Sequence, residues 1–289
     1  MLRVTEVAAT HGEPAAKPVM EWPAREGGAD TRLYRDDRGT HMWIDGAGCF
    51  DIDPRAPSIS VPKLDSRRLP HDLSSPVPED QLLAWREVNI LGVPAMLCFM
   101  EQGYLPLHAA AVDIGGTALL LGAPGTFGKT TLAGAFHAAG HRLLSDDLSS
   151  CSLGEKPMVF PGPALLRIRR DVFERVAFRD TVVAFESPLR VTLAVDPSRR
   201  GAAGPVKLGG IILLQRSDDE MRLARATPAE AVRDLFNLCF RGNFDRGRTF
   251  QEVASLVSVV PVWYLSRRLD YGGLPAVVDR IAAECVPAG

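Results

Sequence analysis

From Leu119 to Thr131 the chain reads Leu-Leu-Leu-Gly-Ala-Pro-Gly-Thr-Phe-Gly-Lys-Thr-Thr, an apolar run that empties through a glycine-rich turn into Gly128-Lys129-Thr130. A strand, a turn of this kind and a helix in that order form the repeating unit of α/β folds. The turn aims successive backbone N–H groups at one point, which suits a polyphosphate. Lys129 would then reach the β and γ phosphates and the Thr130 hydroxyl would hold Mg²⁺. A helix over roughly residues 129–139 would add the positive end of its dipole. The expected nucleotide contacts are Gly122, Ala123, Pro124, Gly125, Thr126, Phe127, Gly128, Lys129, Thr130 and Thr131. The strict pattern places glycine where this chain has Ala123, with Gly122 one place earlier. An ordinary strand-turn-helix connection is the competing reading, since Gly and Pro punctuate turns everywhere.

The residues before the loop sharpen the topology. Pro106–Ile114 and Thr117–Leu121 are two apolar runs separated only by Gly115-Gly116, the signature of a tight hairpin. If Ile114 faces Thr117, counting back pairs Val112 with Leu119, Ala110 with Leu121 and His108 with Ala123, so the imidazole lies beside the loop. An antiparallel neighbour to the loop strand implies a mixed sheet. After the helix, Arg142–Ser145 reads as a strand leading into Asp146-Asp147. A right-handed strand-helix-strand unit brings the end of that strand to the edge where the loop sits, so both carboxylates arrive beside it. Phosphoryl transfer needs carboxylates there to hold Mg²⁺ and to take the proton of an attacking hydroxyl. Turn capping by Asp146 or Asp147 is the competing role.

Composition excludes more than it selects. A net charge of -2 argues against a nucleic-acid polymer or an anionic membrane as partner, since either calls for a basic excess. No apolar run approaches the length of a bilayer span and the N-terminus lacks a signal pattern, so a cytoplasmic protein is expected. The five cysteines are scattered and show no C-x-x-C spacing, which favours buried thiols over disulfides or zinc. Residues 1–28 read as a flexible tail and 29–103 as a small α+β unit, β-rich at first, with a helix over 79–102 that breaks near Gly92-Val93-Pro94. Residues 104–289 form the α/β domain that carries the loop.

The segment from Leu107 to Asp147 resembles, without a gap, the C-terminal catalytic domain of HPr kinase/phosphorylase and the HPr-kinase-like proteins of bacterial peptide-modification clusters. The likeness runs from Leu107-His108-Ala109 through Val112-Asp113 and the loop to Gly140-His141-Arg142-Leu143-Leu144-Ser145-Asp146-Asp147. It implies a P-loop kinase domain with a mixed sheet, related to phosphoenolpyruvate carboxykinase, that uses ATP and Mg²⁺. His108, Lys129 and Asp147 fall on active-site positions of that family and Thr130 on a metal-binding position. Asp147 would be the general base, and Asp146 would assist it or the metal. The implied partner is a peptide or small-protein substrate with a phosphorylatable serine, and the hexamers of HPr kinases point to a homo-oligomer. An HPr-type kinase/phosphorylase, a kinase of small-molecule hydroxyls and an inactive nucleotide-binding regulator are the alternatives.

Two departures from the family pattern stand out. Where the bifunctional enzymes carry a metal-binding Glu, this chain reads Leu166-Arg167-Ile168-Arg169, so Arg167 either weakens the metal site or contacts phosphate itself. Arg199 ends a segment that resembles the strand before a catalytic arginine, but the family's Pro-Gly-Arg is missing, and a solvated loop charge is the plainer role. The glycine-hinged, basic stretch Arg241–Arg248 would suit a mobile loop that closes over an anionic or peptide substrate, with an exposed basic loop as the plainer reading. Pro228–Phe240 and Leu274–Ala283 read as helices and Ile211–Leu214 as a buried strand.

Overall fold

Apolar runs that are punctuated early by Asp/Gly turns and later by longer helical periods give this chain two kinds of architecture. The computed structural model describes residues 2–8, 11–23, 30–64, 78–90, 92–124, 127–163, 165–176, 178, 180–186, 189–195, 204–240 and 245–286. The chain separates into two units, Met1–Gln102 with Val183–Thr192 and Gly103–Val182 with Leu193–Gly289.

In the first unit, strands β1 (Arg3–Val7), β2 (Met20–Trp22), β3 (Thr31–Asp36), β4 (Gly39–Ile44), β5 (Gly48–Asp53) and β6 (Ser58–Pro62) form a six-stranded sheet in the order β1-β6-β5-β4-β3-β2. The central meander is antiparallel, and alternation along it buries Leu33, Met42, Ile44, Phe50 and Ile52. The stretch expected as a tail supplies both edges: β1 runs parallel to β6, and β2 pairs antiparallel with β3. Its strands are short and mostly exposed, so they carry little of the alternation that marks a strand in sequence. Helices α1 (Glu79–Ile90) and α2 (Val93–Glu101) divide at the expected break. Pro94 sits in the first turn of α2, where a missing N–H breaks no helical hydrogen bond.

The second unit is a mixed α/β layer. Its strands are β7 (Leu105–Leu107), β8 (Ala109–Ile114), β9 (Thr117–Gly122), β10 (Arg142–Ser145), β11 (Ser149–Cys151), β12 (Met158–Phe160) and β13 (Leu165–Arg169), then, after β14 (Thr181–Glu186) and β15 (Arg190–Val195), whose residues divide between the two units, β16 (Val206–Arg216), β17 (Arg222–Arg225) and β18 (Val262–Arg267). The helices are α3 (Lys129–Ala138), α4 (Arg170–Phe173), α5 (Pro228–Phe236), α6 (Arg246–Val259) and α7 (Leu274–Cys285). A nine-stranded sheet runs β10-β8-β9-β16-β12-β11-β7, with β18 on β16 and β17 on β18.

The β8/β9 hairpin has the register read from the sequence: Ile114 pairs with Thr117, Val112 with Leu119 and Ala110 with Leu121. Its Gly115 and Gly116 both have positive φ, 60° and 91°, as a two-residue hairpin turn requires. Because β8 is antiparallel to both β9 and β10, those two strands are parallel to each other, and α3 crosses between them. Strands β9, β16 and β18 are parallel in turn. The carboxyl ends of β9, β10, β16 and β18 therefore lie along one edge of the sheet, the place where open α/β sheets bind ligands.

The stretch expected as a mobile loop over 241–248 differs. Residues 241–244 lie outside the described residues, but Arg246 and Arg248 belong to the first turn of α6, whose N-cap Asp245 accepts a hydrogen bond from the Arg248 N–H at 3.0 Å. The Asp that was read as part of a basic loop is a helix start signal.

Candidate active site at the loop

Gly128 caps α3 in the left-handed conformation, φ 84°, a backbone that a side chain would strain. That residue turns the chain from β9 into a helix whose first residue is Lys129. The lysine stem is buried, and its ammonium meets two groups from other segments: Nζ donates to Asp147 Oδ1 at 2.9 Å and lies 3.1 Å from His108 Nε2. His108 Nδ1 is 3.5 Å from the same carboxylate oxygen. His108 occupies the break between β7 and β8, where its backbone N–H donates to the Leu238 carbonyl at 2.7 Å.

The two aspartates are presented differently. The β10/β8 register shifts between Leu143 and Ser145, an irregularity that re-aims the residues beyond it. Asp147 then has φ 69°, and the Leu148 N–H donates to the Asp146 carbonyl at 2.8 Å. A hydrogen bond two residues back across a positive φ is a γ-turn of the rarer, strained hand. Such conformations cost about 1–3 kcal/mol and collect at functional sites. The turn is anchored by Ser149 Oγ, which donates to the Ala109 carbonyl at 2.8 Å and lies 2.7 Å from Ser145 Oγ. It sends Asp147 toward Lys129 and Asp146 toward Thr130. Neither carboxylate caps a helix.

Asp146 accepts from Thr130 Oγ1 at 3.0 Å on one oxygen and from the Arg167 backbone N–H at 3.0 Å on the other. Burial, then the neighbouring Asp147 charge, push its carboxyl up to about 6. Burial pushes Asp147 the same way, but the Lys129 ammonium, followed by His108 and Arg167, outweighs it and holds that carboxyl well below its ordinary range. Adjacent carboxyls with pKa values driven apart are a frequent mark of acid–base chemistry. Burial, then the Lys129 charge, lower the His108 pKa and so favour its neutral form. Arg167 lies close enough to act on Asp147, and its buried Nε has no hydrogen-bond partner among the described residues.

The oxygens of Thr130 and Asp146 fit a hard divalent cation. A hydroxyl and a carboxylate are donors that Mg²⁺ takes; here the Thr130 hydroxyl is hydrogen-bonded to the Asp146 carboxylate. Of the expected contacts, Ala123 is buried before the turn and Thr131 is buried within α3, and Phe127 lies under the Arg216 guanidinium at 5.2 Å. Gly125, Thr126 and Arg199 lie outside the described residues.

One neighbour was missed by the sequence reading. A Cβ placed on Gly128 would meet Arg267 Nη2 at 3.3 Å, so the guanidinium at the end of β18 rests against the loop. The available signal was an arginine directly after an apolar strand, at the edge to which parallel strands deliver their carboxyl ends.

No protein-family model matches the chain, and no curated protein does. Among solved structures it is similar to the Hpr(Ser) kinase/phosphatase from Coxiella burnetii, at 12% identity and a TM-score of 0.36, over 62% of this chain and 93% of that one. A likeness that distant carries no inference about the site, which stands on its own side chains. No helix among the described residues is long and apolar enough to cross a membrane.

Proposed function

We propose that the chain is a kinase that transfers the γ-phosphoryl group of ATP to a hydroxyl, with a serine of a peptide or small protein as acceptor. One observation carries the reading: Lys129, at the start of the helix that follows the glycine loop, meets Asp147 at 2.9 Å and His108 at 3.1 Å, and those two side chains also meet each other at 3.5 Å. The Thr130–Asp146 oxygen pair stands beside this group. The choice of a serine on a peptide rests on the resemblance of Leu107–Asp147 to the HPr-kinase-like proteins.

Each group has a task in this chemistry. The loop N–H groups and the α3 N-terminus hold the β phosphate, and Lys129 spans the β and γ phosphates. Binding an anion there draws the ammonium away from Asp147, which frees a carboxylate to accept a proton. The acceptor hydroxyl oxygen then bonds to the γ phosphorus as the bond to the β–γ bridging oxygen breaks. Its proton passes to Asp147, and ADP leaves with the bridging oxygen. His108, in contact with both, orients Lys129 and the carboxylate. Arg167, where the family pattern has a carboxylate, offers its guanidinium to the transferring phosphate. Mg²⁺, held by Thr130 and Asp146, would neutralise the charge that grows on the phosphate oxygens.

The test is transfer from γ-labelled ATP with Mg²⁺ to peptide pools and, separately, to metabolite pools. Labelled serine in a peptide is the expected product. Label only in a metabolite would move the acceptor to a small molecule, and tight ATP binding without transfer to either pool would make the protein a nucleotide-binding regulator.

A further inference from the structure

The nucleotide reading leaves one buried cation without a task. Arg267 is 6% exposed. Its Nη1 donates to the Arg268 carbonyl at 2.9 Å, and no carboxylate lies within ion-pair distance of it among the described residues. Asp270 and Tyr271 are the acidic groups whose charge reaches it, and burial still outweighs them and lowers its pKa. A guanidinium withdrawn from water without a counter-ion is costly unless an anion joins it. The other nitrogen, Nη2, rests beside Gly128 in the phosphate loop.

The sheet fixes which part of a nucleotide would meet it. Lys129, His108 and Asp147 gather on the β8/β10 side of β9, and the transferred phosphate belongs there. Arg267 comes from the other side, since β18 lies on β16, and β16 on β9. Arg216, its register partner on β16, also turns to the loop and covers Phe127. A triphosphate whose γ end faces Asp147 must run its remaining phosphates toward these two strand ends.

We infer that Arg267 binds the α phosphate of the nucleotide, on the side of the loop away from Asp147. The inference rests on the nucleotide reading of the site. The α phosphate, unlike the β phosphate that departs with the bridging oxygen, does not change charge in the reaction, so a contact to it holds ground state and transition state alike, sets affinity and leaves turnover nearly alone.

The experiment is calorimetric binding of ATP, ADP and adenosine to wild type, Arg267→Gln and Arg267→Lys, together with KM and kcat for transfer. For Arg267→Gln we expect Kd to rise about tenfold for ATP and by the same factor for ADP, the scale of one charge-assisted phosphate contact. Adenosine binding should be unchanged, KM should rise with Kd, and kcat at saturation should stay within about twofold. Arg267→Lys keeps the charge and loses the fork, so it should fall between the two, and it serves if the glutamine variant does not fold. Equal Kd values in wild type and both variants would overturn the inference and leave the kinase reading standing. A kcat loss at unchanged ADP affinity would overturn it too, by placing Arg267 on the γ phosphate. No ATP binding by the wild type would bring down the site reading and this inference with it.

Discussion

Each unit of the protein holds a histidine among aspartates, buried in the first unit and half-exposed in the second, and the two clusters are built on opposite plans. In the first unit His41 is 4% exposed, and its Nδ1 lies 2.7 Å from Asp51 Oδ1 and its Nε2 3.2 Å from Asp36 Oδ1. His41 and Asp51 face each other across the β4/β5 pair, and Asp36 ends the strand before. Cys49 joins the group from the same strand as Asp51, with Sγ 3.8 Å from Asp51 Oδ1. Both imidazole nitrogens are used, and every member comes from one local meander. The cluster closes on itself. Around the loop of the second unit, by contrast, His108, Lys129, Asp146 and Asp147 come from a strand break, a helix start and a strained turn. There the lysine shares a carboxylate that an anion could replace and, among the described residues, an arginine Nε lacks a partner and a second arginine lacks a counter-ion. A structural polar cluster satisfies its own members, whereas a binding site leaves valences for something absent.

Removing the cation around which the loop cluster is organised should separate the two most sharply. Lys129→Met is expected to reduce phosphoryl transfer on the order of 10³-fold and to weaken ATP binding, while the fold is retained, as read by kinetics, calorimetry and circular dichroism. Transfer at the wild-type rate would sink the assignment of this cluster. Asp147→Asn sharpens the comparison, because the proposed exchange of partners gives it a signature that a structural aspartate lacks. Transfer should fall about 10²–10⁴-fold. ATP should bind as tightly as to wild type or tighter, since the phosphate no longer competes with a carboxylate for the ammonium. Weaker ATP binding in this variant would remove the exchange from the mechanism.

How much of this contrast the sequence carried depends on how local each feature is. The loop and its helix are contiguous, and Gly115-Gly116 fixes the hairpin register, so the place of His108 followed from counting. Asp146 and Asp147 needed only the handedness of one crossover. The strain at Asp147 was hidden, because an Asp-Asp pair does not announce a positive φ. Arg267 and Arg216 were hidden for a different reason: their meeting at the loop depends on β16 and β18 being neighbours, which is set by packing between distant segments. The edge strands β1 and β2 were lost because exposed edges need no apolar alternation, and β1 pairs with a strand more than fifty residues away in sequence. Arg246 and Arg248 resemble a loop in sequence because Gly247 masks the start of α6.

The first cluster predicts the reverse of the second. His41→Ala leaves Asp36 and Asp51 without their shared partner and should destabilise the first unit by about 2 kcal/mol, seen as a lower midpoint in urea. Nucleotide affinity and kcat should be untouched. A variant that keeps its stability and loses transfer would show that His41 belongs to the chemistry, and the division between closed and open clusters would fail.

The smallest effect is a matter of pH. His108 is held below its ordinary value by burial and by Lys129. The unfolded chain takes up a proton on this residue near pH 6.5, and the folded protein does so only at lower pH, so the contribution of His108 to stability is complete above about 6.5 and declines as pH falls below it. Asp146 titrates in an overlapping window with the opposite sign: its raised value means that the folded state holds the proton more tightly, and stability declines as pH rises from about 3.8 toward about 6. The informative quantity is therefore the difference between wild type and His108→Gln, taken from urea midpoints between about pH 5 and 7.5. With the histidine gone, stability should decline less on acidification below pH 6.5. Pyrophosphate should shrink that difference, because an anion beside the imidazole favours its protonated form and moves the folded value back toward the unfolded one. Parallel curves with and without the anion would mean that no phosphate comes near His108, and the open cluster would be as closed as its counterpart around His41.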